Sequence, residues 1–194
     1  IPSSLVVNEY HRGVWIVPGN DEVAPIMAKL PGRIIDKGLP GPGLVSHVIV
    51  SKYADHLPLN RLESILQRSG VRIPQNTMGE WLGKANNLLE PIYLALKKRI
   101  FESSVVQADE SPLTVLDKNH VGNRKRGFMW TYIGQGGHVF FDYRPKRDRY
   151  GPLEILKGFN NILQTDGYEA YEEACKKYGI KRAGCWAHAR RGFF

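Results

Sequence analysis

The runs Val105-Val106-Gln107-Ala108-Asp109 and Ile162-Leu163-Gln164-Thr165-Asp166 share one pattern: a short apolar stretch with the form of a buried strand, closed by an aspartate. A carboxylate beside an apolar core is costly unless it is hydrogen-bonded or meets a cation. Two of them placed alike point to a fold that gathers strand ends at one edge, and to a paired site for a hard cation. Taken singly, Asp166-Gly167 also suits a turn and Asp109 a loop or a helix cap. Their joint placement within the strand order favours the paired site.

With 42% hydrophobic and 24% charged residues over 194 positions, the chain has material for one substantial core or two small ones. No run approaches the roughly 18 apolar residues of a membrane span. Ile1-Pro2-Ser3-Ser4 has no signal pattern. A cytoplasmic protein with no membrane partner is therefore expected. Two cysteines, Cys175 and Cys185, exclude a disulfide scaffold or a four-cysteine zinc site supplied by this chain alone, and are expected to be buried reduced thiols. The formal charge of +8 favours a polyanionic partner. Basic and acidic residues balance over 1–43, and the excess lies from residue 44 onward. The start without Met and the stop at Arg190-Arg191-Gly192-Phe193-Phe194, inside a helical pattern, suggest a piece of something longer.

Three segments are expected. Residues 1–43, punctuated by Pro18-Gly19, Pro31-Gly32 and Leu39-Pro40-Gly41-Pro42-Gly43, suit a small irregular or β segment and a linker, with Leu5-Val6-Val7 and Val14-Trp15-Ile16-Val17 as short strand-like runs. Residues 44–103 take helical spacing, with helices near 42–55, 58–69 and 77–101. Pro58 suits a first turn, Gly70 a stop, and Thr77 with Glu80 a capping box. Helix, short turn and capped helix resemble a helix-turn-helix, with Gln75, Asn76 and Lys84 as candidate groove contacts. A plain helical hairpin with Leu62, Ile65, Leu66, Trp81 and Leu82 as core is the alternative. Pro91 is expected to kink or break the long helix.

Residues 104–194 switch to strand periodicity: Val105–Asp109, Phe128–Ile133, His138–Tyr143, a helix near 152–159, Ile162–Thr165, a helix over Tyr168–Tyr178, and Ile180–Trp186. The order β-β-β-α-β-α-β implies an α/β mixed sheet, a three-strand meander extended by right-handed parallel crossovers. That is the order of the ribonuclease H-like fold. In it the first and fourth strands are adjacent and parallel, so Asp109 and Asp166 become neighbours at the carboxyl edge, where open sheets bind ligands. Two basic stretches, Arg124-Lys125-Arg126 and Arg144-Pro145-Lys146-Arg147-Asp148-Arg149, are expected as loops at that edge, a cationic rim suited to a phosphodiester. Glu110 should point away from Asp109, and Asp142 is expected as a solvated edge charge.

Several blocks resemble transposases of the bacterial insertion sequence sixty-six family. They are Gln107-Ala108-Asp109-Glu110-Ser111-Pro112, Gln164-Thr165-Asp166-Gly167-Tyr168 with Tyr171, Gly184-Cys185-Trp186-Ala187-His188-Ala189-Arg190-Arg191, and, upstream, Val50-Ser51-Lys52-Tyr53-Ala54-Asp55-His56-Leu57-Pro58-Leu59-Asn60-Arg61. The match runs in order over about 38–194. The resemblance implies a DDE transposase with a ribonuclease H-like core, in which Asp109 and Asp166 match the first two acids. The family's third acid, a downstream helical Glu, has no counterpart before Phe194, so this chain alone is expected to be inactive. Val17 and Asn20 stand where members commonly carry a zinc-binding cysteine pair, so no zinc is expected there, and Cys185 with His188 lacks the second pair a zinc site needs. His188, Arg190 and Arg191 suit either a DNA-facing surface or a helix start.

The function expected is divalent-metal-dependent cleavage and strand transfer on double-stranded DNA, at mobile-element ends and target, with Asp109 and Asp166 holding Mg²⁺ or Mn²⁺, two ions in the complete site. Oligomerisation on DNA is expected because two ends are held at once. A structure-specific nuclease on the same fold, and a DNA-binding regulator or decayed remnant without catalysis, are the alternatives.

Overall fold

The computed structural model describes residues 4–19, 23–36 and 38–193. Asn20, at the second of the expected cysteine positions, lies outside them. The chain divides into two compact units between Leu89 and Glu90.

In the first unit, β1 (Val14–Trp15) and β2 (Ile26–Met27) form a two-stranded antiparallel ribbon. Leu5–Val7 is not a strand. Helix α1 (Pro42–Tyr53) begins at its own proline, which suits a first turn because the missing N–H would have no partner there. Helix α2 (Leu59–Arg68) begins one residue after Pro58, which is extended and flanks the helix rather than entering it. Gly70, at φ 88°, closes α2. Helix α3 (Gln75–Phe101), whose residues from Glu90 on belong to the second unit, starts two residues before Thr77, so the expected capping box does not form. Glu63 takes over that task by accepting a hydrogen bond from the Gln75 backbone N–H at 3.2 Å. Val48, Leu62, Leu66, Ile73 and Met78 form one small core and Ile35, Val45 and Ala85 another. Pro91 sits inside α3 without ending it.

The second unit holds a five-stranded sheet in the order β5-β4-β3-β6-β7, with β3 (Val105–Leu116), β4 (Arg124–Ile133), β5 (Val139–Arg144), β6 (Ile162–Thr165) and β7 (Lys181–Gly184). β3 pairs antiparallel with β4 and parallel with β6; β4 pairs antiparallel with β5, and β6 parallel with β7. Helices α4 (Tyr150–Ile155) and α5 (Ala170–Tyr178) make the crossovers, and α6 (Trp186–Arg191) follows β7. This meander with parallel extensions is the ribonuclease H-like order. α5 ends on Gly179 in the left-handed region at φ 69°, a conformation that favours glycine.

Alternation along β3 sorts its side chains. Val106 and Ala108 are buried on the face that carries Trp130, Tyr132, Phe140 and Leu163, against Leu156 and Phe159 at the end of the first crossover and Tyr171 and Ala174 of α5. Gln107 and Asp109 project from the other face, where Asp109 is exposed.

Candidate functional site

The pairing of β3 with β6 sets the geometry. Gln107 is in register with Gln164, and their side-chain amides hydrogen-bond at 2.9 Å. Asp109 and Asp166 each follow two residues later, so the parallel register brings them to the same level of the sheet edge. Adjacent strands lie about 5 Å apart, which puts two carboxylate-bearing backbones side by side. β3 runs on to Leu116, so Asp109 stands within a strand, opposite Thr131, rather than at its end. It stands at the end of the parallel pairing, because β6 stops at Thr165.

Asp109 has a side chain 54% exposed, with Oδ1 accepting the Glu110 backbone N–H at 3.0 Å. Asp166 forms a turn, its Oδ1 accepting the Tyr168 backbone N–H at 2.9 Å. Arg182 braces that turn: its Nε donates to Thr165 Oγ1 at 3.0 Å and its Nη2 to the carbonyls of Asp166 and Tyr168 at 2.6 and 2.9 Å. An open cleft of about 540 Å³ is lined by Thr165, Asp166, Arg182, Cys185 and His188, among others. His188 ties Asp109 to this cleft, with Nε2 3.9 Å from Asp109 Oδ2.

Cys185 precedes α6 and is half-buried rather than buried. The nearby His188 backbone N–H and imidazole hold its thiol below the ordinary range. The same thiol, and then Asp109, hold His188 above its ordinary value. Cys175, in α5, is buried and pushed up by that burial.

Glu110 turns to the core face, where its side chain is 1% exposed. Arg147 donates to its Oε1 through Nε at 2.8 Å and through Nη2, and the Tyr171 hydroxyl donates to Oε2 at 3.0 Å. Burial raises the Glu110 carboxyl above the usual range against the pull of these donors. Arg147 also lies 3.9 Å over the Tyr168 ring, whose hydroxyl donates to the Arg147 carbonyl at 3.0 Å. Glu110, Arg147, Tyr168 and Asp166 are thus linked under the edge. Nothing in composition marks Arg147 or Arg182 for this. The alternation of β3, which sends Glu110 inward, was the available signal for the first; Arg182 sits inside a short strand, where alternation sends it to the core face.

The remaining cations divide. Arg144 is held by Asp142 and Glu154, both at 2.6 Å, so Asp142 is an ion-paired, part-buried carboxylate rather than a solvated edge charge. Arg149 pairs with Glu173 at 3.3 Å, and Lys146 is exposed. Arg124, Lys125 and Arg126 lie in β4 rather than in a loop, because the β3–β4 hairpin continues past the sheet. Arg190 and Arg191 are exposed at the end of α6. Gln75, Asn76 and Lys84 are exposed on α3 of the first unit.

Asp109 and Asp166 offer only oxygen donors on an accessible edge, a donor set that fits a hard cation. Among the described residues no cluster of three His, Cys, Asp or Glu side chains able to hold a metal ion is present. No helix among them is long and apolar enough to cross a membrane.

Comparison with known proteins gives the chain a family. The chain is 34% identical to the uncharacterized protein y4qI of Sinorhizobium fredii (strain NBRC 101917 / NGR234), an alignment covering 100% of this chain and 38% of that one. It is 31% identical to y4jD of the same organism, covering 87% of this chain and 35% of that one. It therefore spans little more than a third of the length of these curated relatives. Among solved structures, the Mos1 transposase paired-end complex with left transposon end shares 11% identity at a TM-score of 0.32, over 90% of this chain and 66% of that one; the fold assignment rests on strand order, not on this likeness. The family model "Transposase IS66 family" matches residues 37–194, and the chain belongs to that family.

Proposed function

We propose that this chain carries the first part of a metal-dependent DNA transposase centre, in which Asp109 and Asp166 are the metal-holding carboxylates. The observation that supports this most is the register of β3 with β6, which sets both aspartates two residues beyond the Gln107–Gln164 pair on one edge. Divalent ions such as Mg²⁺ or Mn²⁺ supply, when bound, activation of the attacking oxygen and stabilisation of the leaving oxygen of a phosphodiester.

The chain's own residues do the positioning. Asp109 and Asp166 supply negative oxygen donors, with a third carboxylate required to complete the set. Arg182 and the Tyr168 amide fix the Asp166 turn, and Glu110 with Arg147 anchors the strand beneath Asp109. His188 borders both aspartates and adds positive charge when protonated, which favours the approach of a phosphate. The substrate is double-stranded DNA, in keeping with the net charge of +8 and with exposed cations on both units. The helix pair α2–α3, with Gln75, Asn76 and Lys84 outward, suits a supporting DNA-binding module, and binding of two DNA ends calls for an oligomer.

The test is nicking and joining of a duplex carrying the element's ends by the complete protein in Mg²⁺. Asp109→Asn and Asp166→Asn are each expected to abolish both steps while DNA binding persists. Full activity in either variant would remove the aspartates from the chemistry.

A further inference from the structure

The β3–β4 hairpin outruns its sheet. β5 is last paired at Phe128 and β6 at Gln107, yet β3 and β4 continue as a two-stranded ribbon through the pairs Leu113–Gly127, Thr114–Arg126, Val115–Lys125 and Leu116–Arg124. At about 3.4 Å per residue this arm stands about 14 Å beyond the sheet before its turn, and its paired part lies about 14 to 24 Å along the strand from Asp109. It leaves from the edge that bears Asp109 and Asp166.

The arm's chemistry is one-sided. Its only acid, Asp117, is bound to Lys125 at 2.9 Å. Lys118, Arg124 and Arg126 are exposed, and Arg126 reaches no further than the Phe128 ring, 5.5 Å from its centroid. Leu116 and Val121 are 82% and 94% exposed. An isolated two-stranded ribbon is marginal in water, so these projecting strands need a partner surface to gain from their shape. A DNA major groove is about 12 Å wide and admits a two-stranded ribbon, with flanking phosphates for its cations.

We propose that the 113–127 arm lies in the major groove of the DNA that runs past Asp109 and Asp166, with Lys118, Arg124 and Arg126 on the flanking phosphates. This rests on the DNA-acting reading above and adds to it a gripping element separate from the carboxylate edge.

The test is the affinity of the chain for a short random-sequence duplex, measured over a salt series. Each phosphate contact contributes about 0.9 to the slope of log affinity against log salt. The variant Lys118→Ala/Arg124→Ala/Arg126→Ala is expected to lower the slope by about 2.7 at this value per contact. A charge-matched control, Lys157→Ala/Lys177→Ala/Lys181→Ala, alters positions at or before the upstream ends of β6 and β7 and should leave it unchanged. Val121→Glu, at a tip position with nothing packed on it, is expected to weaken binding several-fold without touching the fold. If the wild type binds with a steep slope and the arm variants match it, or if the control lowers the slope equally, the arm is not the grip and the DNA-acting reading stands. If the wild type shows no salt-dependent binding, both fall together.

Discussion

Glu110 follows Asp109 directly, yet its carboxylate lies on the opposite face of the sheet, closed off by Arg147. One strand therefore presents a carboxylate to solvent and buries the next against a guanidinium. The exposed one is available to a ligand; the buried one holds the loop after β5 against the turn that carries Asp166.

Arg147→Ala removes the charge that compensates Glu110 and leaves only the Tyr171 hydroxyl. Truncating one partner of a buried pair costs about 3–5 kcal/mol. Because the Arg147 side chain is 42% exposed, about 2 kcal/mol is expected after screening. Glu110→Gln/Arg147→Ala should recover part of it. Urea unfolding measures both; a loss below about 0.5 kcal/mol for Arg147→Ala, the range of ordinary surface changes, would contradict the pairing.

Asp109→Asn should leave stability within about 0.5 kcal/mol, as expected for an exposed side chain. Trp130→Ala, which empties a fully buried site packed edge-on against Tyr171, should cost about 3–5 kcal/mol. Thermal unfolding of the two variants separates a residue kept for ligands from one kept for packing.

Cys185 should react with iodoacetamide at neutral pH faster than an ordinary thiol, and Cys175 hardly at all, because one is lowered by His188 and the other raised by burial. His188→Ala should slow Cys185. The sign for His188 follows from its raised value: its contribution to stability is fully present below the ordinary histidine range and is lost as pH rises through the raised one. Alkylation rates across pH, with and without His188, check the first statement, and unfolding measured across pH on the same two proteins checks the second.

Pro91 interrupts the hydrogen-bond ladder of α3 and is exposed. Pro91→Ala restores an amide donor and removes the ring's clash, and should stabilise the protein by roughly 1–3 kcal/mol. A lower melting temperature would show that the proline is needed where it stands.

Strand order was legible because each strand of the second unit has its own apolar run and turn residues between. Parallel pairing of the first and fourth strands then followed from the ribonuclease H-like topology that this order matches. Element ends were not legible. Thr77 and Glu80 offered a local cap, but Glu63, twelve residues before Gln75, supplied the contact that starts α3. Pro91 pointed to a break that twenty-six other helical residues override. The strand was expected to end at Asp109, so Leu113–Leu116, three of them apolar, lay outside it and the arm showed only as a basic stretch. The fates of Arg144, Arg147 and Arg149 depend on which carboxylates the fold brings beside them, and spacing along the chain does not encode that.

The most direct test of the central claim is a crystal structure of the protein soaked in Mn²⁺, with the ion located by its anomalous signal. The account predicts a peak bridging the carboxylates of Asp109 and Asp166. An ordered sheet with no peak at either aspartate, or with the two carboxylates turned apart, beyond the reach of a site whose metals lie about 3.5–4 Å apart, would contradict it.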